Sequence, residues 1–86
     1  MKAFNTIGFN IMADPKLHGE NTTLLYCGDD SASKKAVHTL AAEIGFDPFD
    51  LGPLPKARLL ENFALLWITI AIKHGREFAF KMIQRT

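Results

Sequence analysis

Asn5 and Thr6 are the first residues in this chain whose types and placement suggest chemistry. Two short hydrogen-bonding side chains at the carboxyl end of a strand sit where open α/β sheets place ligands. The same pair can also serve as a turn cap, and spacing alone does not choose between the two. Gly28 ends an apolar run and precedes a helical pattern, a position where free amide groups can hold an anion. Asp29 and Asp30 follow it directly. Two carboxylates at that mouth repel phosphate, so the turn reads as a strand-to-helix connection with an N-cap. Nowhere do the glycines form G-x-G, so the turn that admits a pyrophosphate to the backbone is missing.

Other candidate groups lack partners at useful spacing. His18, His38 and His74 never fall three or four residues apart, which excludes a pair of ligands on one helix face. Cys27, the one cysteine, ends an apolar strand with no basic neighbour and reads as a packed thiol. Asp47 and Asp50 lie on a strand and point to opposite faces, so they cannot act as an acid–base couple. Arg58 and Glu61, three apart on a helix, read as a local ion pair. No catalytic residue and no metal ligand is assigned.

The elements that would position these groups follow from pattern. Lys2 to Thr6 reads as a short strand, followed by an irregular stretch through Asp14-Pro15 and Gly19. Thr22 to Cys27 is rich in β-branched, aliphatic and aromatic residues and reads as a strand buried on both faces. Asp30 or Ser31 caps a helix in which Ala36, Val37, Leu40, Ala41 and Ile44 recur every three or four residues. Gly45 ends it, and Phe46 folds back on the last turn. Asp47 to Leu51 reads as a second strand, closed by Gly52-Pro53. Strand, helix and strand over so few residues imply a crossover with parallel strands. Pro55 opens a helix over Arg58 to Lys73, and a last helix is expected over Glu77 to Arg85, with Phe78, Ala79, Met82 and Ile83 inward.

The expected fold class is thus α/β, a partial Rossmann-type arrangement in the order β, loop, β, α, β, α, α, with residues 1–86 as a single domain. Eighty-six residues and 48% hydrophobic content suit one small globular unit. Ten Lys and Arg against nine Asp and Glu leave a net charge of +1, which excludes a nucleic-acid binder that works by phosphate neutralisation. Phe63 to Ile72 is about half the roughly 20 residues of a spanning helix, so no membrane partner is expected. A small chain with a single cysteine points to a reducing, cytoplasmic setting. The segment from Phe63 to Ile72 carries apolar residues on nearly every face. Leaving three of them wet forfeits roughly 5–9 kcal/mol, so a covering neighbour is expected, either a second copy or another segment.

The residues also resemble a family. Lys2-Ala3-Phe4-Asn5-Thr6-Ile7, Tyr26-Cys27-Gly28-Asp29-Asp30, Ser33-Lys34-Lys35-Ala36-Val37, Ile44-Gly45-Phe46, Asp50-Leu51-Gly52-Pro53-Leu54 and Ala57-Arg58-Leu59-Leu60-Glu61 occur in this order. Together they are similar to the C-terminal half of the deazaflavin-dependent NADP reductases and their dinucleotide-binding relatives, among them the reductase domains of six-transmembrane ferric reductases. The resemblance implies a Rossmann-type fold that passes hydride between NADPH and a flavin-like or deazaflavin acceptor. It implies that Ala3, Phe4, Asn5 and Thr6 line the nicotinamide end of the cofactor cleft, and that Gly52, Pro53 and Leu54 lie near the second substrate. Such residues position reactants rather than react. The family's nucleotide-binding half has no counterpart in these residues. The implied chain is therefore truncated, inactive and unable to bind NADP alone, and works with the missing N-terminal half or as a homo-oligomer. The alternative is a non-catalytic module of the same fold that self-associates or binds a partner.

Overall fold

The computed structural model describes residues 1–85. Its centre is a pair of parallel strands, β3 (Thr23–Tyr26) and β4 (Asp47–Asp50). Thr23 pairs with Asp47 and Tyr26 with Asp50, and the ladder continues outward through Asp47 N to Thr22 O at 2.9 Å and Leu51 N to Tyr26 O at 2.7 Å. Helix α2 (Ser31–Ile44) connects them, giving the expected crossover unit. Asp30 caps α2 by accepting from the Ser33 amide at 3.1 Å, and its carboxyl is held below the usual range by the Ser33 hydroxyl and amide. Gly45 closes the helix at φ 120°, a value open to glycine and costly for any other residue. The Phe46 amide returns to Ala41 O at 2.9 Å, which directs the ring inward.

One face of the strand pair packs against α2. Leu24, Tyr26, Ala41 and Phe46 form the buried centre there, with Ala3, Phe4, Ile7 and Val37 against it. Leu40 and Ile44 do not join it. They are half exposed, and Ala41, with its small side chain, is the α2 residue buried against the strands. The opposite face meets the short helix α1 (Phe9–Ala13) and the long helix α3 (Ala57–His74), with Ile11 and Leu60 buried. A 3₁₀ turn over Leu54–Lys56 leads into α3. Glu61 reaches Lys2 Nζ at 3.8 Å, so its partner is that residue and not Arg58.

Three local expectations are corrected. Lys2 to Thr6 is not a strand. Only Lys2 pairs, in an antiparallel bridge with Cys27 (2.9 and 3.0 Å), and the chain then turns at Phe4, whose φ is 65°. The turn drops the Phe4 ring edge-on against Phe46, with centroids 6.0 Å apart.

The stretch expected to be irregular holds α1 and a hairpin of β1 (Lys16–Leu17) with β2 (Glu20–Asn21). His18 and Gly19 both have positive φ, the backbone of a two-residue type I′ turn.

The helix expected over Glu77 to Arg85 does not form, and these residues have no regular secondary structure. Thr23 on the free side of β3 needs an acceptor for its amide and finds Phe80 O at 3.0 Å, while Thr23 Oγ1 accepts the Met82 amide at 2.8 Å. Phe78 and Phe80 both meet α3, Phe78 against Trp67 and Phe80 against Phe63.

Candidate functional site

Between the start of α1, strand β3, helix α3 and the C-terminal segment lies an apolar cavity of about 260 Å³. Thr6, Ile11, Leu25, Phe63, Trp67 and Phe78 contribute to its wall. Trp67 and Phe78 are stacked, with ring centroids 5.1 Å apart and planes at 22°. Phe63 meets Phe80 edge-on at 5.0 Å. The indole reaches this position because residue 8 is glycine. A Cβ there would lie 2.7 Å from Trp67 Cζ2. Gly8 has ordinary extended backbone (φ −71°, ψ 152°), so its role is space and not conformational freedom. Lys81 stands at the rim with its ammonium on Asp47 Oδ2 at 2.6 Å.

The residues singled out in the sequence fall in two places. Thr6 is buried and lines the cavity. Asn5, beside it, donates from Nδ2 to Leu60 O at 3.0 Å, while its Oδ1 is buried with no partner. Ala3 and Phe4 face the α2-side core. Gly52, Pro53 and Leu54 lie in the loop after β4 and do not border the cavity. Gly52 has φ 126° and its amide donates to Asp50 Oδ1 at 2.9 Å. The two groups are joined through α3, which starts at the loop and carries Leu60 to Asn5. Sequence reasoning missed Gly8, Trp67 and Phe78 as wall residues. The signal was the alternation Phe78-Ala79-Phe80-Lys81-Met82, whose period of two marks an extended segment.

A second group of titratable residues lies on the far side of the strands. Tyr26 Oη and His38 Nδ1 are 2.8 Å apart. Burial, and then the charge of Asp50, push the Tyr26 hydroxyl above its ordinary range, against the opposing pull of Lys34. Lys34 Nζ lies 2.9 Å from Asp50 Oδ2, and that contact holds the Asp50 carboxyl below its ordinary range. Asp47 and Asp50 bind different lysines, in keeping with opposite faces. Cys27 is buried. His18 sits in the hairpin turn and His74 at the end of α3, and among the described residues no cluster could hold a metal ion. Among the same residues no helix is long and apolar enough to cross a membrane.

A solved structure from Arthrobacter sp. FB24, assigned as an F420-dependent NADP reductase, superposes on this chain with a TM-score of 0.86 and 32% sequence identity over 96% of its length. This chain is similar to part of that reductase in both fold and sequence. The relationship covers 39% of that reductase chain, so the present residues correspond to well under half of it. The metalloreductase STEAP3 of Rattus norvegicus is 38% identical to this chain over 66 residues, which are 76% of the chain and 13% of the rat protein. No family model matches. Both similarities bear out the resemblance carried by the Lys2–Ile7, Tyr26–Asp30 and Asp50–Leu54 segments, and the Rossmann-like α/β class with it.

Proposed function

We propose that this chain forms the acceptor side of an NADP-dependent oxidoreductase that passes hydride between NADPH and a flavin-like or deazaflavin ring. The observation that supports the reading is the apolar cavity walled by the stacked Trp67 and Phe78 and bordered by Thr6. At about 260 Å³ it is smaller than the roughly 300–1,000 Å³ typical of whole-ligand pockets, so it suits a flat ring system and not an entire cofactor. Apolar walls exclude water, which protects a reduced ring from side reactions. In this reading Ala3, Phe4, Asn5 and Thr6 shape the nicotinamide end and Gly52, Pro53 and Leu54 the approach to the second substrate.

A whole dinucleotide does not fit these residues. Their strand-to-helix turn at Gly28 carries Asp29 and Asp30, two carboxylates that repel a pyrophosphate, and the first of these accepts the Leu54 amide. The reading takes the nucleotide to be held by a separate segment and the lone chain to be inactive. The buried free Cys27 suits a reducing cytoplasm.

Titration with FMN tests the cavity directly, since Trp67 is the one tryptophan in the chain. Saturable quenching is expected, and no quenching refutes the acceptor reading. NADPH alone is expected to leave the melting temperature unchanged. Mixing the chain with the nucleotide-binding segment of the Arthrobacter reductase should restore NADPH oxidation, and absence of turnover in that mixture counts against an enzymatic role. A second reading, a self-associating module without catalysis, is favoured by the outer face of α3, where Leu65 is 62% and Ile72 82% exposed with Ile68 between them. Light scattering over a dilution series decides it, because a stable monomer at micromolar concentration removes that reading.

A further inference from the structure

We infer that Asp29 and Lys34 are positioning residues that clamp the Gly52–Leu54 loop and, through the start of α3, set the place of Asn5 beside the cavity. The inference rests on the acceptor-side reading only for its effect on ligand binding. The clamp itself is a matter of geometry.

Four contacts reach the loop from the segment between β3 and the first turns of α2. The Gly28 amide donates to Gly52 O at 3.0 Å, and Lys34 Nζ donates to the same oxygen at 3.3 Å while lying 2.9 Å from Asp50 Oδ2. Asp29 Oδ1 accepts the Leu54 amide at 2.9 Å across 25 residues of sequence. Cys27 Sγ lies 3.8 Å from Leu54 O, so the amide and the carbonyl of Leu54 both meet this segment. The two adjacent aspartates divide the work. Asp30 caps α2, which leaves Asp29 free of that duty and directed at the loop. A carboxylate that accepts from a backbone amide makes one of the stronger hydrogen bonds available to a chain.

What is held is more than a turn. Leu54 opens the 3₁₀ turn that runs without a break into α3, with Lys56 N on Pro53 O at 2.9 Å. A short way into α3, Leu60 is buried and its carbonyl receives Asn5 Nδ2 at 3.0 Å. Sliding or tilting the start of α3 therefore moves the hydrogen-bond anchor of the Asn5 side chain. Asp29 and Lys34 touch neither the cavity nor Asn5, and act through this chain of bonded elements.

Amide exchange and chemical shifts by NMR test the clamp. In Asp29→Ala the Leu54 amide is expected to exchange at least about 10-fold faster, since a charge-assisted bond is lost. The Asn5 side-chain amide resonances are expected to shift, while Val37 and Ala41 in α2 keep their wild-type exchange. Asp29→Asn keeps an acceptor oxygen and is expected to restore part of the Leu54 protection. Lys34→Met provides a second variant that leaves Asp29 intact, and it is expected to accelerate the Gly28 amide, whose acceptor it loosens. Unchanged Leu54 exchange in Asp29→Ala, unmoved Asn5 resonances, or uniform acceleration that includes α2 each overturn the clamp. FMN titration of the same variants separates the two ideas. A wild-type chain that ignores FMN defeats the acceptor reading while the exchange pattern still decides the clamp, and a wild-type chain that binds it is expected to lose about threefold or more in affinity on Asp29→Ala, a modest displacement effect.

Discussion

Gly8→Ala is a one-carbon change whose consequence can be worked from distances. The added Cβ would stand 2.7 Å from Trp67 Cζ2 and 2.9 Å from Cη2, closer than real contacts occur. Asn10 Oδ1 at 3.0 Å closes the other side, so the carbon cannot be accommodated by a small shift of one neighbour. Overpacking of this kind costs about 1–3 kcal/mol. Against it, alanine at an unstrained extended position narrows the unfolded ensemble, worth about 0.4–1 kcal/mol. The net expectation is a loss of about 1–2 kcal/mol, which in a domain of this size lowers the melting temperature by roughly 4–16 °C. Because Cζ2 and Cη2 belong to the outer ring of the indole, Trp67→Phe removes the colliding atoms. The loss on Gly8→Ala is therefore expected to fall below about 0.5 kcal/mol in the Trp67→Phe background, a clear coupling in a double-mutant cycle. Urea denaturation followed by circular dichroism measures all four proteins without relying on the tryptophan signal. A Gly8→Ala protein as stable as wild type, or a cost that is the same in both backgrounds, refutes the proposed packing of the cavity wall.

Further outcomes follow from the same contacts. The Asp50 carboxyl is depressed in the folded protein, mainly by its bond to Lys34, so it contributes stability above its ordinary value of 3.8 that is lost as pH falls through the lower folded value. Lys34→Met is expected to flatten that acid loss in urea titrations between about pH 5 and pH 2. Tyr26 shifts the other way. Its neutral form is favoured by burial, so the stability it contributes is present below its ordinary value of 10.0 and is lost as pH rises through the higher folded value, and Tyr26→Phe is expected to remove that alkaline loss. Gly52→Ala forces a side chain into φ 126° and is expected to cost about 1–3 kcal/mol by thermal melting. Thr23→Val removes the acceptor of the Met82 amide, and a loss of about 1 kcal/mol with faster Met82 exchange is expected.

The crossover unit was readable because each of its parts carries its own chemical mark. Asp30 offers a cap, Gly45 a left-handed stop, and Thr22 to Cys27 a run of strand-forming side chains, and the parallel pairing of β3 with β4 follows from the length of the connection. The left-handed turn at Phe4 carries no such mark. It is held by contact with Phe46, forty-two residues away, and local pattern has no access to that contact. The C-terminal segment was misread as a helix because Phe78, Ala79, Met82 and Ile83 also satisfy a helical period. What draws the segment alongside β3 is the amide of Thr23, a demand made by a different element. Leu40 and Ile44 show a further limit of pattern. Periodicity tells which residues share a face, and it does not tell how much of that face is covered. In the candidate site, Thr6 was singled out as the end of a strand that does not form, and it lines the cavity from a turn instead, whereas the aromatic wall depended on two segments meeting in space.

Pro48 gives the outer rim of β4 a character of its own. The amides of Asp47 and Leu51 point inward to β3, so the alternation of a parallel ladder turns residues 48 and 50 outward. Proline brings no hydrogen to that rim, which leaves Asp50 as the lone main-chain donor along β4 on that side, next to a negatively charged side chain. A further strand laid there would find the carbonyls of Pro48 and Asp50 but a single amide, so its own acceptors would go largely unmet. That donor-poor border disfavours lengthening the ribbon there, while the greasy outer surface of α3 carries no such penalty.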